Sequence, residues 1–328
     1  MIMSLETFEE KINTARSEGK PSILLANGFS QAWDTNIFNY QNLFNEADFG
    51  SRDSAIKDIF KNCETYDFEK IIKVLGIAEF VCTCYRVEQI KIDEIRADQE
   101  IIMNSLIEVI SKTHPLKSSL ISDYQYECAR NFMMELRNVF TVNYDLLLYW
   151  IVNKNNIKPF GYHKSDGFFY DTWTNENSQS IFFLHGGLHI YDDGIDVKKH
   201  TFRNDINSSI VDQVRNYLEQ GSFPLFVSEP TFEKKLIRIK HHPYLNYCFE
   251  ELKSLSGTLF IYGHSMADND RHIFDQINKS DVRNVFISIF GDEYSDDNRE
   301  IMANATRFID TKKIKVAFFD ASSAPIWG

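Results

Sequence analysis

Four short segments of the sequence carry polar side chains directly after an apolar, strand-like run. The segments are LLANGFS, VFTVNYD, IFFLHGG and LFIYGHSMADND. Their candidate residues are Asn27, Gly28, Phe29, Ser30, Asn143, Asp145, His185, Gly186, Gly187, Gly263, Ser265, Asp268 and Asp270. Amide, hydroxyl, carboxylate and imidazole groups can hold ribose hydroxyls or transfer protons, and glycine lets a phosphate approach the backbone. The carboxyl ends of parallel strands share one edge of a sheet, so the segments predict a pocket for a phosphorylated ribose compound.

Each segment also has a local structural explanation. Asn-Gly in LLANGFS suits a turn before a helix, and this lone segment is not the G-x-G-x-x-G dinucleotide motif. Asn143 is a favourable helix cap, while Asp145 in a first helical turn complements the helix dipole. Ser265 and Asp268 can cap a helix that begins near Arg271. The four segments together therefore support the pocket better than any one of them.

His185 is the candidate best suited to proton transfer. It follows the apolar run SIFFL at an expected strand end, and an imidazole titrates close to neutral pH. A structural histidine explains this single turn equally well. The segment therefore indicates a general base only in combination with the other three.

The elements that must position these residues follow from the alternation of the remaining sequence. Apolar runs such as SILL, VFTV, SIFFL, FPLFVS, TLFIY, VFISIF and IKVAFF predict strands. Amphipathic segments such as NYDLLLYWIVNK, RHIFDQINK and DDNREIMANATRFI predict helices between most of them. Fully apolar strands that alternate with helices predict an α/β fold, with a Rossmann-like, mainly parallel sheet and helices on both faces.

The block from residue 33 to 138 has a different pattern. Its apolar residues recur at spacings of three and four, which predicts an all-helical insertion after the first strand. Residues 1–32 and 139–328 would then form the Rossmann-like domain. Because no Gly/Ser-rich or Pro-rich hinge flanks the insertion, we expect it to cover the carboxyl edge of the sheet. Cys82 and Cys84 within it are expected to pack in its core.

The composition limits the class of protein. A length of 328 residues corresponds to about two domains, or to one large α/β domain with an insertion. The 35 basic and 47 acidic side chains leave a net charge of −12, which argues against direct binding of nucleic acid or anionic membranes. The apolar runs are too short for a membrane span and the start is not a secretory signal, so we expect a cytoplasmic protein. The five cysteines include no C-x-x-C pair and predict neither a disulfide framework nor a four-cysteine zinc site.

Three further segments have mainly structural interpretations. The basic run from Lys234 to Tyr244 predicts a solvated helix that ends before Pro243, although it could also guide a diphosphate or bind a partner. The segment GFFYDTW predicts a β-hairpin, whose aromatic rings could cover a base. The acidic residues of GDEYSDDN predict a solvated turn, with a metal cluster as the alternative. These acidic residues are Asp292, Glu293, Asp296 and Asp297.

In chain order, the motifs G-F-S, T-V-N-Y-D, L-H-G-G and Y-G-H-S-M-A-D-N-D resemble those of the sirtuin-like (silent information regulator-like) superfamily. The resemblance spans residues 22 to about 320 outside the helical block. It looks closest to bacterial sirtuin-like proteins, including antiphage effectors that hydrolyse NAD, and to a related bacterial family of unassigned function. Sirtuins have G-A-G where this chain has G-F-S, and their deacylases carry a zinc module of paired C-x-x-C that this chain lacks. The resemblance therefore implies NAD binding and disfavours protein-lysine deacylation.

The resemblance also implies roles for individual residues. Asn143 would position water and the ribose, Asp145 would contact the nicotinamide side, and His185 would be a general base or a partner of a ribose hydroxyl. The implied NAD-binding residues are Asn27, Gly28, Phe29, Ser30 and Gly186, with Gly28, Phe29 and Ser30 at the diphosphate, and Gly263, Ser265 and Asp268 at the adenosine half.

The resulting expectation is an NAD glycohydrolase that releases nicotinamide and ADP-ribose without a metal. Such an enzyme would act as a regulated antiphage effector, controlled by homo-oligomer formation or by a partner protein. The alternative is a non-catalytic sensor that binds NAD or ADP-ribose and signals through the helical insertion. A third interpretation, a hydrolase of ADP-ribose or another nucleotide, would need a metal cluster such as the GDEYSDDN carboxylates.

Overall fold

The computed structural model describes residues 5–38, 40–201, 209–220, 222–229 and 231–328. Within these ranges the chain forms ten strands and thirteen α-helices. The strands are β1 Ser22–Leu25, β2 Val139–Thr141, β3 Phe168–Phe169, β4 Thr172–Trp173, β5 Ile181–Phe183, β6 Ile190–Asp192, β7 Val197–Lys199, β8 Ser256–Tyr262, β9 Asp281–Ile289 and β10 Lys315–Asp320. The helices are α1 Phe8–Arg16, α2 Asn27–Trp33, α3 Tyr40–Glu46, α4 Asp53–Asn62, α5 Phe68–Cys84, α6 Gln89–Thr113, α7 Asp123–Met134, α8 Leu147–Asn153, α9 Ile210–Glu219, α10 Phe232–His241, α11 Pro243–Glu251, α12 Arg271–Ile277 and α13 Asp296–Phe308.

Six of these strands form a parallel sheet in the order β10-β9-β8-β1-β2-β5. Numbered along the chain within this sheet, the order from the β5 edge is 3-2-1-4-5-6, which is the Rossmann arrangement. Every residue of β1, β2 and β5 is buried, as expected of strands covered on both faces. The prediction of a Rossmann-like α/β fold is confirmed.

The segments that follow β1 and β8 touch at the point where the strand order reverses. Helix α2 begins at Asn27, directly after β1, so Asn-Gly starts a helix and does not form a separate turn. The Gly28 N–H donates to the Gly263 carbonyl at 3.0 Å. A Cβ on Gly28 would lie 2.4 Å from the Gly263 Cα, and Gly263 has a φ of +68°. Both positions therefore need glycine because two backbones meet there.

The smaller sheet has the antiparallel order β3-β4-β7-β6. The predicted GFFYDTW hairpin is confirmed, since β3 and β4 pair through Phe168 and Trp173. The predicted FPLFVS strand is wrong. That segment crosses the end of β5, where Phe226 makes one isolated bridge to Gly186, and it lies alongside no strand of the parallel sheet.

Between residues 40 and 134 the described elements are all helical, as the spacing predicts. Helices α3 to α6 share a separate apolar cluster that includes Phe60, Phe68 and Ile72. Helix α7 instead packs in the core of the parallel sheet, through Tyr126 and Phe132. The helical content is confirmed, while the division into a Rossmann-like domain and an insertion stays a prediction.

The expectation that Cys82 and Cys84 pack in a core is wrong for Cys84, which is exposed, and Cys82 is only half-buried. Both lie in the last turn of α5, where the helix extends past the cluster that buries its first half. None of the described helices is long and apolar enough to cross a membrane.

The contact between Gly28 and Gly263 is testable with two alanine substitutions. Gly28→Ala should lower the free energy of unfolding by about 2 kcal/mol or more, because the new methyl group overlaps the Gly263 backbone. Gly76→Ala is the control, since its Cβ would meet only the Gln99 side chain at 3.7 Å. It should gain about 1 kcal/mol of helix propensity. Urea unfolding compares the two, and equal stability would contradict the contact.

Candidate functional site at the carboxyl edge

Three of the predicted residues form a hydrogen-bonded trio at the ends of β1 and β2. The Asn143 amide nitrogen donates to the Ser30 hydroxyl at 2.8 Å and to the Ala26 carbonyl at 3.1 Å. The Ser30 hydroxyl donates to the Asp145 carboxylate at 2.5 Å. Ser30 is fully buried and Asp145 is nearly so. The trio therefore joins the connection after β1 to the connection after β2.

Helix capping explains part of this arrangement. Asp145 accepts from the Leu147 N–H at 2.8 Å, at the start of α8, so the local interpretation of Asp145 holds in part. Asn143 caps no helix, because its side chain points to Ser30 and Ala26. Burial raises the pKa of Asp145, and the hydrogen bond from Ser30 opposes that rise.

A second cluster of polar side chains surrounds His185. The His185 Nε2 lies 3.4 Å from His272 Nε2 and 3.8 Å from Asp270 Oδ1. On the other side of the same carboxylate, His264 Nε2 lies 3.3 Å from Asp270 Oδ2. Strands β5 and β8 are three positions apart in the sheet, which separates their axes by roughly 14 Å. The connections that follow them therefore converge across the carboxyl edge.

An ion-paired network completes this group and ties it to the helical block. Lys235 on α10 is 1% exposed, and its Nζ lies 2.9 Å from Asp270 Oδ1 and 2.8 Å from Glu69 Oε2. Glu69 belongs to α5 and also accepts from the Asn269 amide at 2.6 Å. Tyr144 lies between Asn143 and Asp145 in the sequence. Its hydroxyl donates to the Val227 carbonyl at 2.5 Å and lies 3.5 Å from the Glu69 carboxylate. One network therefore links α5, α10 and the turns after β2 and β8.

Ion pairing outweighs burial in the ionisation of Asp270 and Lys235. Burial would raise the pKa of Asp270, but Lys235 and the neighbouring histidines outweigh it and hold that pKa well below its ordinary value. Burial would likewise lower the pKa of Lys235, yet Asp270 and Glu69 raise it. Since the folded pKa of Asp270 is depressed, its stabilising effect is present above the ordinary carboxyl range and is lost only in strong acid.

His185 and His272 stay neutral at physiological pH. Burial and the charge of Lys235 hold the pKa of His185 well below 6.5. Burial lowers the pKa of His272 to about 4. One ring nitrogen of the His185–His272 pair must therefore donate and the other accept. A neutral His185 is available as a hydrogen-bond acceptor or a weak base.

His185, Asp270 and His272 could in principle hold a metal ion, since one ligand atom from each lies within 4.8 Å of the others. However, the ammonium group of Lys235 already pairs with the same carboxylate at 2.9 Å. A metal at this point would face that positive charge at close range, which disfavours it. The expectation that the chain uses no metal stays a prediction.

The remaining predicted residues have mixed placements. Phe29 is buried against Trp327, with ring centroids 5.1 Å apart. Gly186 has a φ of +78°, and a Cβ there would lie 2.0 Å from the Leu225 carbonyl oxygen. Ser265 is exposed, and Asp268 lies 3.9 Å from the Lys73 ammonium.

The prediction that Ser265 and Asp268 cap the helix beginning near Arg271 is wrong, because neither of these side chains caps a helix. The predicted roles of Phe29, Gly186, Ser265 and Asp268 in ligand binding stay predictions. Of the GDEYSDDN carboxylates, Asp292 and Glu293 lie in the turn before α13, as predicted, whereas Asp296 and Asp297 are exposed in the first turn of that helix.

Sequence reasoning missed most of the charged network. The basic run predicts a solvated helix, which is wrong for Lys235, although α10 does end before Pro243. The spacing of Lys235 and Ile239, four residues apart, places both on the buried face of α10. Glu69 resembles any acidic residue in a first helical turn, so its role has no local signal.

The strand order and the polar carboxyl edge define a Rossmann-like α/β protein with a helical block tied to the edge where such sheets bind ligands. Residues 23–327 match the family described as Domain of unknown function (DUF4917). Because the match spans almost the whole sequence, the chain belongs to this family. No curated protein matches the chain.

Removing the Lys235 charge tests the network. Lys235→Met keeps the length of the side chain but leaves Glu69 and Asp270 without their cation, and should cost about 3–5 kcal/mol in the free energy of unfolding. Lys234→Met, at an exposed position of the same helix, should change it by less than about 0.5 kcal/mol. Urea unfolding at neutral pH measures both. A Lys235 variant as stable as the Lys234 variant would show that the network is not closed as described.

Proposed function

We propose that the chain is an NAD glycohydrolase that cleaves NAD to nicotinamide and ADP-ribose. The observation that carries this proposal is the trio of Ser30, Asn143 and Asp145 at the carboxyl edge, next to the reversal of strand order. Open α/β sheets bind ligands at that position. The sirtuin-like motifs supply the identity of the ligand, since the trio consists of residues from the G-F-S and T-V-N-Y-D motifs.

The reaction needs little from acid catalysis. The bond between the ribose C1′ and the nicotinamide nitrogen breaks, and the positively charged ring leaves as neutral nicotinamide. The ribose passes through an oxocarbenium-like state, water adds to C1′, and one proton is released. The protein must hold the ribose, place the water and stabilise the developing positive charge.

The trio can supply the positioning. The hydrogen bonds of Asn143 to other described residues use its backbone N–H and its amide nitrogen. Its side-chain oxygen is therefore the group that accepts from the water or from a ribose hydroxyl. Asp145 holds Ser30, and Ser30 holds Asn143, so the orientation of the amide depends on a buried carboxylate.

His185 can accept a hydrogen bond from a ribose hydroxyl. Its depressed pKa keeps the ring neutral, so it can accept a hydrogen bond at physiological pH. Asp270 and His272 fix the position of the ring from one side. In this proposal His185 contacts the ribose, and Asp270 acts through His185 as a positioning residue.

Substrate access requires movement of the helical block. His185 is 2% exposed, and Ser30 and Asp145 are buried as well. Glu69 is the residue of α5 that joins the covering helices to Lys235 and Asn269. We place the enzyme in a regulated antiphage role in the cytoplasm, in which homo-oligomer formation or a partner protein opens these contacts.

The same burial favours a second candidate, a sensor that binds NAD or ADP-ribose without turnover. A buried site that is tied to α5 through Glu69 is well suited to report occupancy by displacing that helix. In that case either ligand raises the melting temperature of the protein, and nicotinamide is not released.

Turnover by matched variants tests the enzyme. Wild-type protein should convert NAD to nicotinamide and ADP-ribose, separated by chromatography. Asn143→Ala and His185→Ala should each lower the rate at least about a hundredfold, since positioned polar groups commonly contribute that much. His241→Ala, at an exposed position of α10, should keep the full rate. Full turnover by both Asn143→Ala and His185→Ala would contradict the proposal.

A further inference from the structure

The hairpin of α5 and α6 ends in an exposed apolar surface that the site does not use. We name this surface the hairpin tip. Its residues are Ile77, Phe80, Val81, Tyr85, Val87 and Ile90. Phe80 is 69% exposed, Tyr85 81% and Ile90 64%. Exposed apolar surfaces larger than a few hundred Å² generally mark interaction sites.

The pattern along α5 separates its two halves. The first half buries Phe68, Ile71, Ile72 and Leu75 in the cluster shared with α6. In the second half, positions 77, 80, 81 and 84 follow the helical spacing of three and four and are all exposed. A helix face that meets only water ordinarily carries polar residues. The second half of α5 therefore has an apolar face that needs a partner.

The charges around the hairpin tip favour a second copy of the same chain. The basic residues from position 77 to 96 are Arg86, Lys91 and Arg96, and the acidic ones are Glu79, Glu88, Asp93 and Glu94. Three against four leaves this region close to neutral in a chain of net charge −12. Two copies repel one another least where their charges balance, and a balanced surface selects neither a strongly basic nor a strongly acidic partner.

The available area meets the need of a dimer. A fully exposed large apolar side chain offers on the order of 150–200 Å², so the hairpin tip offers roughly 600 Å² per copy at the observed exposures. If both copies buried this whole area, the interface would cover about 1,200 Å², the lower bound of stable interfaces. We propose that the hairpin tip is the interface of a homodimer, in which the tips of two copies pack on each other about a two-fold axis. This dimer does not depend on the proposed reaction.

Sedimentation velocity over a wide range of protein concentration tests the dimer. Wild-type protein should pass from monomer to dimer as its concentration rises. The double variant Phe80→Ser with Tyr85→Ser should raise the dissociation constant at least about tenfold. The matched control replaces Phe169 and Tyr170 by serine, because this exposed pair has the same residue types and exposures of 65% and 81%. It should leave the dissociation constant unchanged.

The rate of alkylation of Cys84 is an independent measure of the dimer, since this exposed thiol lies between Phe80 and Tyr85. Its alkylation, followed by mass spectrometry, should slow as the dimer forms. Wild-type protein that remains a 38.3 kDa monomer at every concentration overturns the proposal. So does a dimer that the tip variant does not weaken, or alkylation of Cys84 at a rate independent of concentration.

Discussion

The buried ammonium group of Lys235 is the constraint on which the candidate site depends. It lies between two carboxylates that come from distant parts of the chain, Glu69 on α5 and Asp270 after β8. Without it, two negative charges would face each other in a desolvated space, which is strongly unfavourable. Because Asp270 also lies against His185 and His264, the position of both rings follows from this pairing. The network thus couples closure of the helical block to the geometry of the edge.

The net contribution of such a network to the free energy of unfolding is small. A buried ion pair costs desolvation energy that its attraction only partly repays, and it resists the loss of any one member. A closed state of this kind is well suited to a switch. Separating Glu69 from Lys235 would leave Lys235 paired with Asp270, so the charge of the inner carboxylate would remain compensated. The trio of Ser30, Asn143 and Asp145 has no ionic link to α5 and can keep its geometry during that change.

The sequence predicts what is local and misses what is not. Apolar runs bounded by polar turns identify all six strands of the parallel sheet, and helical spacing identifies α8, α12 and α13 among the helices between them. The FPLFVS segment fails because its apolar residues pack across a strand end, which residue spacing alone does not distinguish from a strand. Lys235 and Cys84 fail in opposite directions, one buried and one exposed, because burial at helix positions depends on which partner helix reaches them. Glu69 lies 166 residues from Lys235, and no local pattern links two positions so far apart.

The central claim is that the carboxyl edge binds NAD. Hydrogen exchange followed by mass spectrometry tests it most directly, with an NAD analogue in which a methylene group replaces the ring oxygen of the nicotinamide ribose. This analogue cannot form the oxocarbenium-like state and therefore stays intact. The account predicts slower exchange in the connections after β1, β2, β5 and β8 when the analogue is bound. Unchanged exchange in all four connections at saturating analogue, or protection confined to another part of the chain, would contradict it.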